Sequence, residues 1–268
     1  MAALTLRLLG EPPERLDLSA VTPAALAGLS AAAIAAIPVG TTAAGLRLGD
    51  VFAIAGDDPS EIRIEGGSPR LDRVGMGLES GSIRVAGSVG LEAGRGMKGG
   101  TLTVEGDAGH RAGAGMTGGT LAIGGDAGDF AGGALHGAMA GQDGGILLVR
   151  GRTGERTGDR MKRGLVVVLG GTGPHPGSRM AGGTILTAAL GDRPGTLMKR
   201  GTLIAATVGD LGPTFVPSGG YELPFLGLFA RHLAATLPEA ASLVPRRAER
   251  LRGDMAALGK GEILLASR

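Results

Sequence analysis

Basic side chains recur at one position of a sequence repeat, beside methionines that precede short apolar stretches. The members of this set are Arg160, Lys162, Arg163, Arg179, Lys199 and Arg200. Like charges in neighbouring strands destabilise a fold unless an anionic group neutralises them. We therefore predict a positive stripe that binds a polyanion. Two alternatives stay open: a solvated edge that prevents aggregation, or ion pairs with Glu155 and Asp159.

Motifs for catalysis or metal binding are not evident elsewhere in the sequence. The chain has no cysteine, which excludes disulfides and thiolate metal sites, and its four histidines lie far apart. No Gly-rich run ends in Lys-Ser/Thr, and the GxGxxG-like strings are products of the repeat. The aspartates of the repeat are best explained as turn formers. We expect no catalytic residue, no metal and no intrinsic cofactor.

The repeat itself consists of seven short apolar stretches separated by Gly-rich turns. They begin at Ser82, Thr101, Thr120, Ile146, Leu165, Thr184 and Thr202, which are 19, 19, 26, 19, 19 and 18 residues apart. A constant period of this length indicates stacked units, and each unit is too short for a helical crossover. The sequence therefore predicts a mainly β fold, a solenoid of about seven coils with a period of 19 residues.

Aliphatic residues at the second and fourth strand positions predict an inward face. Seven methionines, at positions 76, 97, 116, 139, 161, 180 and 198, are expected to form a second buried column. The outward positions turn apolar at Ile146, Leu148, Leu165 and Val167. Such a face is covered by the chain's own termini or by a partner, and we predict a partner interface.

A seven-residue insertion interrupts the repeat between residues 125 and 145. Insertions in regular repeats often carry function, so we assign Phe130 and His136 to the same partner interface. The alternative is that Phe130 and Leu135 pack against the repeats.

Three regions follow from the composition along the chain. Residues 1–56 read as an N-terminal strand and helix segment, with a strand at Leu4–Leu9, a helix that begins after Thr22 and ends before Pro38, and a strand within Gly45–Gly56. Residues 57–212 hold the repeats. Residues 213–268 form a C-terminal cap, with a helix at Phe225–Leu237 and a closing strand in GEILLAS.

The formal net charge is only +2 and aromatic residues make up 2% of the chain, so nucleic acid is not an expected partner. No apolar run reaches the roughly 18 residues that span a bilayer, and the first residues do not form a signal peptide. We expect a soluble, cytoplasmic protein without a membrane partner.

Several spaced motifs resemble a known family. GGTLxxxGDAGxxxGxxMxGGTL, DFAGGALHGAMAG, PTFxxxGGYELPFL and GKGEIL together resemble the C subunit of formylmethanofuran dehydrogenases. They look closest to the counterpart in methylotrophic bacteria, the C subunit of the formyltransferase/hydrolase complex. The resemblance covers roughly residues 45–268. It implies a right-handed parallel β-helix, which also occurs as the GXGXG domain of glutamate synthases.

The resemblance implies a non-catalytic structural subunit. In that family the complex moves a formyl group from tetrahydromethanopterin to methylofuran and releases formate. The expected partners are its amidohydrolase-like A subunit, its B subunit, and its formyltransferase, the D subunit. Methylofuran carries a polyglutamate tail, so the six basic residues named above become a candidate track for it, with the cofactor held jointly with partner subunits.

Two other functions stay open. The first is a GXGXG-type subunit of an amidotransferase complex, as in glutamate synthase; the tail motifs favour the formyltransferase/hydrolase family over it. The second is a β-helix lyase that acts alone on acidic polymers. A lyase of that kind needs a carboxylate-rich calcium site, and none is evident in the sequence.

Overall fold

The computed structural model describes residues 2–267 of the 268-residue chain. The strands are β1 (Ala3–Leu8), β2 (Leu16–Asp17), β3 (Phe52–Ala55), β4 (Asp58–Glu65), β5 (Leu71–Asp72), β6 (Ser82–Ala86), β7 (Lys98–Val104), β8 (Gly118–Ile123), β9 (Asp143–Val149), β10 (Arg163–Val168), β11 (Ala181–Leu190), β12 (Arg200–Val208), β13 (Val216–Tyr221), β14 (Ala248–Gly253) and β15 (Lys260–Ala266). The helices are α1 (Pro23–Leu26), α2 (Ala31–Ala35), α3 (Leu48–Val51), α4 (Pro224–Thr236) and α5 (Pro238–Ala241).

One mixed sheet of 13 strands organises the described residues, in the order β13-β14-β15-β12-β11-β10-β9-β8-β7-β6-β4-β1-β3. The repeat strands β6 to β12 lie side by side and parallel. Antiparallel pairs close the sheet at both ends: β1 with β3 at one end, and β13 with β14 and β14 with β15 at the other. A second sheet contains only β2 and β5.

The prediction of a right-handed parallel β-helix of about seven coils is therefore wrong. The repeat period implies parallel stacking of equivalent segments, but it does not say how much of each repeat becomes a strand. Between the repeat strands the chain makes turns and isolated bridges, such as Val89 with Ala108. One strand per repeat joins the large sheet, and antiparallel strands from outside the repeat complete that sheet.

The register of the repeat is confirmed in the strand pairs. The predicted strand starts lie opposite one another in sequence, from Ser82 beside Thr101 to Thr184 beside Thr202. Each second position points inward and is buried, as the alternation predicts: Ile83, Leu102, Leu121, Leu147, Val166, Ile185 and Leu203. Apolar side chains thus stack from strand to strand, and their burial holds the repeats together.

Aspartates at the turns join consecutive repeats. Asp107 Oδ1 accepts a hydrogen bond from the backbone N–H of Asp126 at 2.8 Å, and Asp126 Oδ1 accepts one from Arg152 at 2.7 Å. Asp192 Oδ1 accepts from Asp210 at 2.9 Å. These side chains therefore do more than form turns, because each satisfies a backbone donor of the following repeat.

The methionine column is confirmed at five of its seven predicted positions, and Met76 is only half-buried. Met97, Met116, Met161, Met180 and Met198 are fully buried. Met139, in contrast, is 79% exposed, so its predicted burial is wrong. It lies within the insertion, and the buried Gln142 takes the position before β9 that a methionine occupies in the other repeats.

The predicted helix after Thr22 is replaced by two short helices. Thr22 Oγ1 caps α1 by accepting from the N–H of Ala25 at 3.3 Å, and Ser30 Oγ caps α2 at 3.2 Å. Gly28 has a φ of +75° between them, a left-handed conformation that ends a helix. The strand predicted at Gly45–Gly56 is also shorter, because α3 takes its first half before β3 begins.

The strand at Leu4–Leu9 corresponds to β1, the C-terminal helix to α4 and the closing strand to β15. Since β1 and β3 belong to the same sheet as the repeats, the boundary at residue 56 stays a prediction, as does the one at residue 212. None of the helices in residues 2–267 has the length and apolar character to cross a membrane.

The apolar outer face of the repeat is covered by the C-terminal helices. Leu148 and Val167 are buried in one cluster with Leu226 and Leu233 of α4. Arg150 Nη2 lies 2.7 Å from Glu239 Oε1 of α5, which adds a polar contact. The prediction that Leu148 and Val167 form a partner interface is therefore wrong in this structure, because the chain's own helices exclude a partner there.

Candidate functional site

A line of exposed basic side chains runs along one margin of the large sheet, where β10, β12 and β15 begin. We call it the basic edge and define it as Lys162, Arg163, Lys199, Arg200 and Lys260, all of which are exposed. Arg200 lies directly beside Lys260, since β12 and β15 pair in parallel. On its other side Arg200 pairs with Ala181, so a neutral strand separates it from β10.

The predicted stripe joins Lys162 and Arg163 with Lys199 and Arg200, and β11 lies between the two groups. That strand contributes Ala181 at the corresponding position, and the two groups are roughly 10 Å apart, two strand spacings. Lys260 was not among the predicted residues. The similarity of Arg200-Gly-Thr-Leu to Lys260-Gly-Glu-Ile was the signal that could have found it.

Most of the basic edge lacks an ion-pair partner. Arg163 Nε lies 3.0 Å from Asp143 Oδ1. Among residues 2–267, none of the carboxylates forms an ion pair with Lys162, Lys199, Arg200 or Lys260. The edge therefore carries uncompensated positive charge that a polyanion could neutralise.

Arg95 and Lys98, which flank Met97 in a repeat before the insertion, differ from the basic edge because they are paired. Lys98 Nζ lies 2.7 Å from Glu79 Oε1, and this hydrogen bond raises the pKa of Lys98 and lowers the pKa of Glu79. Arg95 Nη1 lies 2.9 Å from Glu92 Oε2. Positive charge beside Met97 is therefore compensated, unlike most of the charge on the basic edge.

Arg179 and Arg160 converge on a buried carboxylate. Arg179 donates to Asp159 Oδ1 from Nη2 at 2.8 Å and from Nε at 3.1 Å. Arg160 Nε lies 3.6 Å from Asp159 Oδ2, and the Asp159 side chain is only 4% exposed. The ion-pair alternative left open by the sequence is therefore the observed arrangement for these two arginines. Glu155 instead contacts Arg156.

The insertion forms one wall of a cavity of about 330 Å³. Arg111, Phe130, His136, Arg160 and Arg179 are among its lining residues. Arg111 lies over the Phe130 ring at 5.3 Å, and Arg156 lies 5.9 Å from the same ring. Cation–π contacts of this kind fix the start of the insertion against two repeats.

His136 contacts Arg111, with 2.6 Å between His136 Nε2 and Arg111 Nη2. An arginine can only donate, so Nε2 of His136 accepts in this contact. Phe130 and His136 thus both lie at the cavity, and their contact with a partner stays a prediction. The predicted partner contacts of Ile146 and Leu165, which are half-buried, also stay predictions.

No group of three or more His, Asp or Glu side chains in residues 2–267 is arranged to hold a metal ion. The described site therefore consists of two cationic features, the basic edge and the cavity beneath the insertion. Both can bind anionic groups by charge and by N–H donation.

These observations define a repeat-built β protein with a cationic margin and a cationic cavity. No protein-family model matches the chain. The chain is 58% identical over 261 residues to the C subunit of the formyltransferase/hydrolase complex Fhc of Methylorubrum extorquens, an alignment that covers 97% of this chain and 98% of the relative. The chain belongs to the family of the Fhc C subunit.

A solved structure agrees with this assignment. The crystal structure of the formyltransferase/hydrolase complex FhcABCD from Methylorubrum extorquens, in complex with methylofuran, contains a chain that superimposes with a TM-score of 0.94. The two are 50% identical, and the match covers 98% of this chain and 100% of that one. The similarity therefore extends over the repeats, the insertion and the C-terminal helices.

Proposed function

We propose that this chain is the C subunit of a formyltransferase/hydrolase complex and contributes structure rather than catalytic groups. Its near full-length identity of 58% to the Fhc C subunit carries the proposal. The complex transfers a formyl group between tetrahydromethanopterin and methylofuran and releases formate. Its partners are the A, B and D subunits, and the chain is a distant relative of the C subunit of formylmethanofuran dehydrogenases. A cytoplasmic location stays a prediction.

Co-purification tests this role. The tagged full-length chain is expressed in a methylotroph that lacks its own C subunit, and the proteins that elute with it are identified by mass spectrometry. Recovery of an amidohydrolase-like protein together with a formyltransferase supports the proposal. Recovery of glutamate synthase subunits supports the GXGXG amidotransferase alternative, and recovery of the chain alone contradicts both.

The basic edge is the proposed track for the polyglutamate tail of methylofuran. Its uncompensated side chains, with the predicted Arg160 and Arg179 at the neighbouring cavity, are suited to a flexible chain of carboxylates. Exposed ion pairs contribute at most about 1 kcal/mol each. Several such ion pairs together can retain the polyglutamate tail, while each single ion pair breaks and re-forms easily.

Cofactor retention tests the track. Replacement of Lys199, Arg200 and Lys260 by Gln should lower the methylofuran content of the purified complex, more strongly at higher salt. The matched control replaces Arg7, Arg63 and Arg84 by Gln, which removes the same charge from ion-paired positions on the same sheet. Unchanged retention in the first variant at all salt concentrations would contradict the proposal.

A further inference from the structure

The cavity beneath the insertion has properties that the basic edge lacks. It is enclosed by residues 134–139 on one side and by the turns of neighbouring repeats on the other. Arg160 is only 27% exposed, whereas Lys162 two residues later lies on the open surface. The cavity is therefore a pocket for a compact group rather than a continuation of the open edge.

Charge in this cavity is out of balance. Its lining includes three guanidinium groups, of Arg111, Arg160 and Arg179, and the single carboxylate of Asp159. Arg179 occupies that carboxylate with two hydrogen bonds. Arg111 forms no ion pair within residues 2–267, and its buried Nε has no hydrogen-bond partner there. No carboxylate of the described residues therefore neutralises the Arg111 guanidinium group, and an anion from outside the chain could do so.

The residue before the buried methionine changes type along the repeats. Before the insertion it is glycine, Gly96 and Gly115, with φ values of +63° and +66°. After the insertion it is Arg160, Arg179 and Leu197, with φ values of +55°, +54° and +58°. Two of these three residues therefore bring guanidinium groups to the cavity.

The remaining lining selects the kind of anion. Phe130, Ala134, Leu135 and Ala138 present apolar surface beside the arginines. A planar guanidinium group binds a carboxylate through paired N–H donors, and the apolar wall suits the methylene groups attached to it. Inorganic phosphate has no carbon atoms to place against that wall.

We propose that this cavity is a carboxylate-binding pocket. Arg111 and Arg160 donate to the carboxylate, Phe130 and Leu135 contact its aliphatic carbons, and Asp159 positions Arg179 at the rim. The ligand is a small carboxylate of about the size of glutamate, free or as one unit of a chain. Binding of a free small carboxylate is independent of the proposed function. Binding of a glutamate unit within a polyglutamate tail rests on the proposed function.

Titration calorimetry of the full chain tests the pocket, with glutarate, γ-linked tetraglutamate and inorganic phosphate as probes. We expect glutarate and tetraglutamate to bind and phosphate to bind at least tenfold more weakly. Arg160→Gly should weaken both carboxylate probes at least tenfold. This variant restores the residue type of the preceding repeats, so it removes the guanidinium group without adding backbone strain. Arg111→Gln should have the same effect, and Arg84→Gln should have none.

Two outcomes separate this proposal from the polyglutamate track. If tetraglutamate binding depends on Lys199, Arg200 and Lys260 but not on Arg160, the track is supported and the pocket is overturned. If glutarate binding depends on Arg160 but tetraglutamate does not bind, the free form of the pocket is supported and the track is contradicted. Absence of carboxylate binding, or tighter binding of phosphate, overturns the pocket.

Discussion

Asp159 and Arg179 form an ion pair across two consecutive repeats, with 2.8 Å between Asp159 Oδ1 and Arg179 Nη2. The Asp159 side chain is 4% exposed and that of Arg179 is 34% exposed. The pair therefore lies mostly out of solvent at the cavity wall, where screening by water is weak.

Replacement Asp159→Asn should lower the free energy of unfolding by roughly 2 kcal/mol, because removing one partner of a largely buried pair leaves a charge without compensation. Urea denaturation measures the change. Glu61→Gln is the control, since its pair with Arg63 is exposed on both sides and should contribute less than about 1 kcal/mol. Equal losses in the two variants would contradict the assigned role of Asp159.

The methionine column supplies a second prediction. Met180→Ala should cost about 2–5 kcal/mol of stability, because Met180 is fully buried and the substitution leaves a cavity. Met139→Ala should change stability by less than about 0.5 kcal/mol, since Met139 is 79% exposed. Thermal unfolding of both variants makes the comparison, and similar melting temperatures would show that Met180 is not a packing residue.

Two glycines with different surroundings lead to a third prediction. A Cβ added at Gly118 would lie 2.2 Å from the carbonyl oxygen of Lys98, whereas one added at Gly96 meets nothing within 4 Å. Gly118→Ala should therefore cost about 3 kcal/mol or more, because the clash is with the backbone of the preceding repeat. Gly96→Ala should cost only about 1 kcal/mol, for its positive φ.

Chemical denaturation of both glycine variants measures the difference. A smaller loss for Gly118→Ala than for Gly96→Ala would contradict the close approach of strands β7 and β8 at this point.

Two carboxylates that share Arg73 as a partner, Asp17 and Glu92, supply a prediction about pH. Burial tends to raise the pKa of Asp17 and of Glu92, but hydrogen bonds outweigh it and hold both pKa values below normal. Ser19 and Arg73 supply these bonds to Asp17, and Arg95 and Arg73 supply them to Glu92. A lowered pKa in the folded state contributes stability above the unfolded value, about 4, and that contribution is lost as the pH falls.

Arg73→Gln should raise both pKa values and reduce stability at pH 7, and the difference from the unchanged chain should shrink as the pH falls below about 4. Carboxyl-carbon NMR titration and urea denaturation at several pH values measure these effects. Arg84→Gln is the control, because Arg84 contacts Glu105 on another part of the sheet. Unchanged titration of Asp17 and Glu92 in the Arg73 variant would refute the assignment.

Helix α4 supplies the last prediction. Leu233 is buried against the apolar face of the repeat, whereas Leu228 is 60% exposed. Leu233→Ala should cost about 2–5 kcal/mol and speed hydrogen exchange in α4, and Leu228→Ala should have little effect on either. If both variants exchange at the same rate, α4 does not cover this face as described.

The sequence alone determined the register of the repeat and its inward face. Seven strand starts at a nearly constant period predicted which residues become neighbours, because a side-chain period of two and a strand spacing near 4.8 Å leave few alternatives. It also predicted a stripe of six basic residues beside the methionine column. Local patterns repeated along the chain were sufficient for these points.

Only the tertiary structure decided how the sheet ends and what covers it. The sequence pattern that places Val167 on the outward face is the same whether a partner or the chain's own helix α4 covers it. In the structure, α4 covers it. The pairing of Arg200 with Lys260 requires β15 to return beside β12 after residues 213–259, which carry no repeat. The gathering of Arg111, Arg160 and Arg179 around one cavity depends on the path of the insertion. These contacts join segments outside the period, and their free energies depend on packing that a local pattern does not contain.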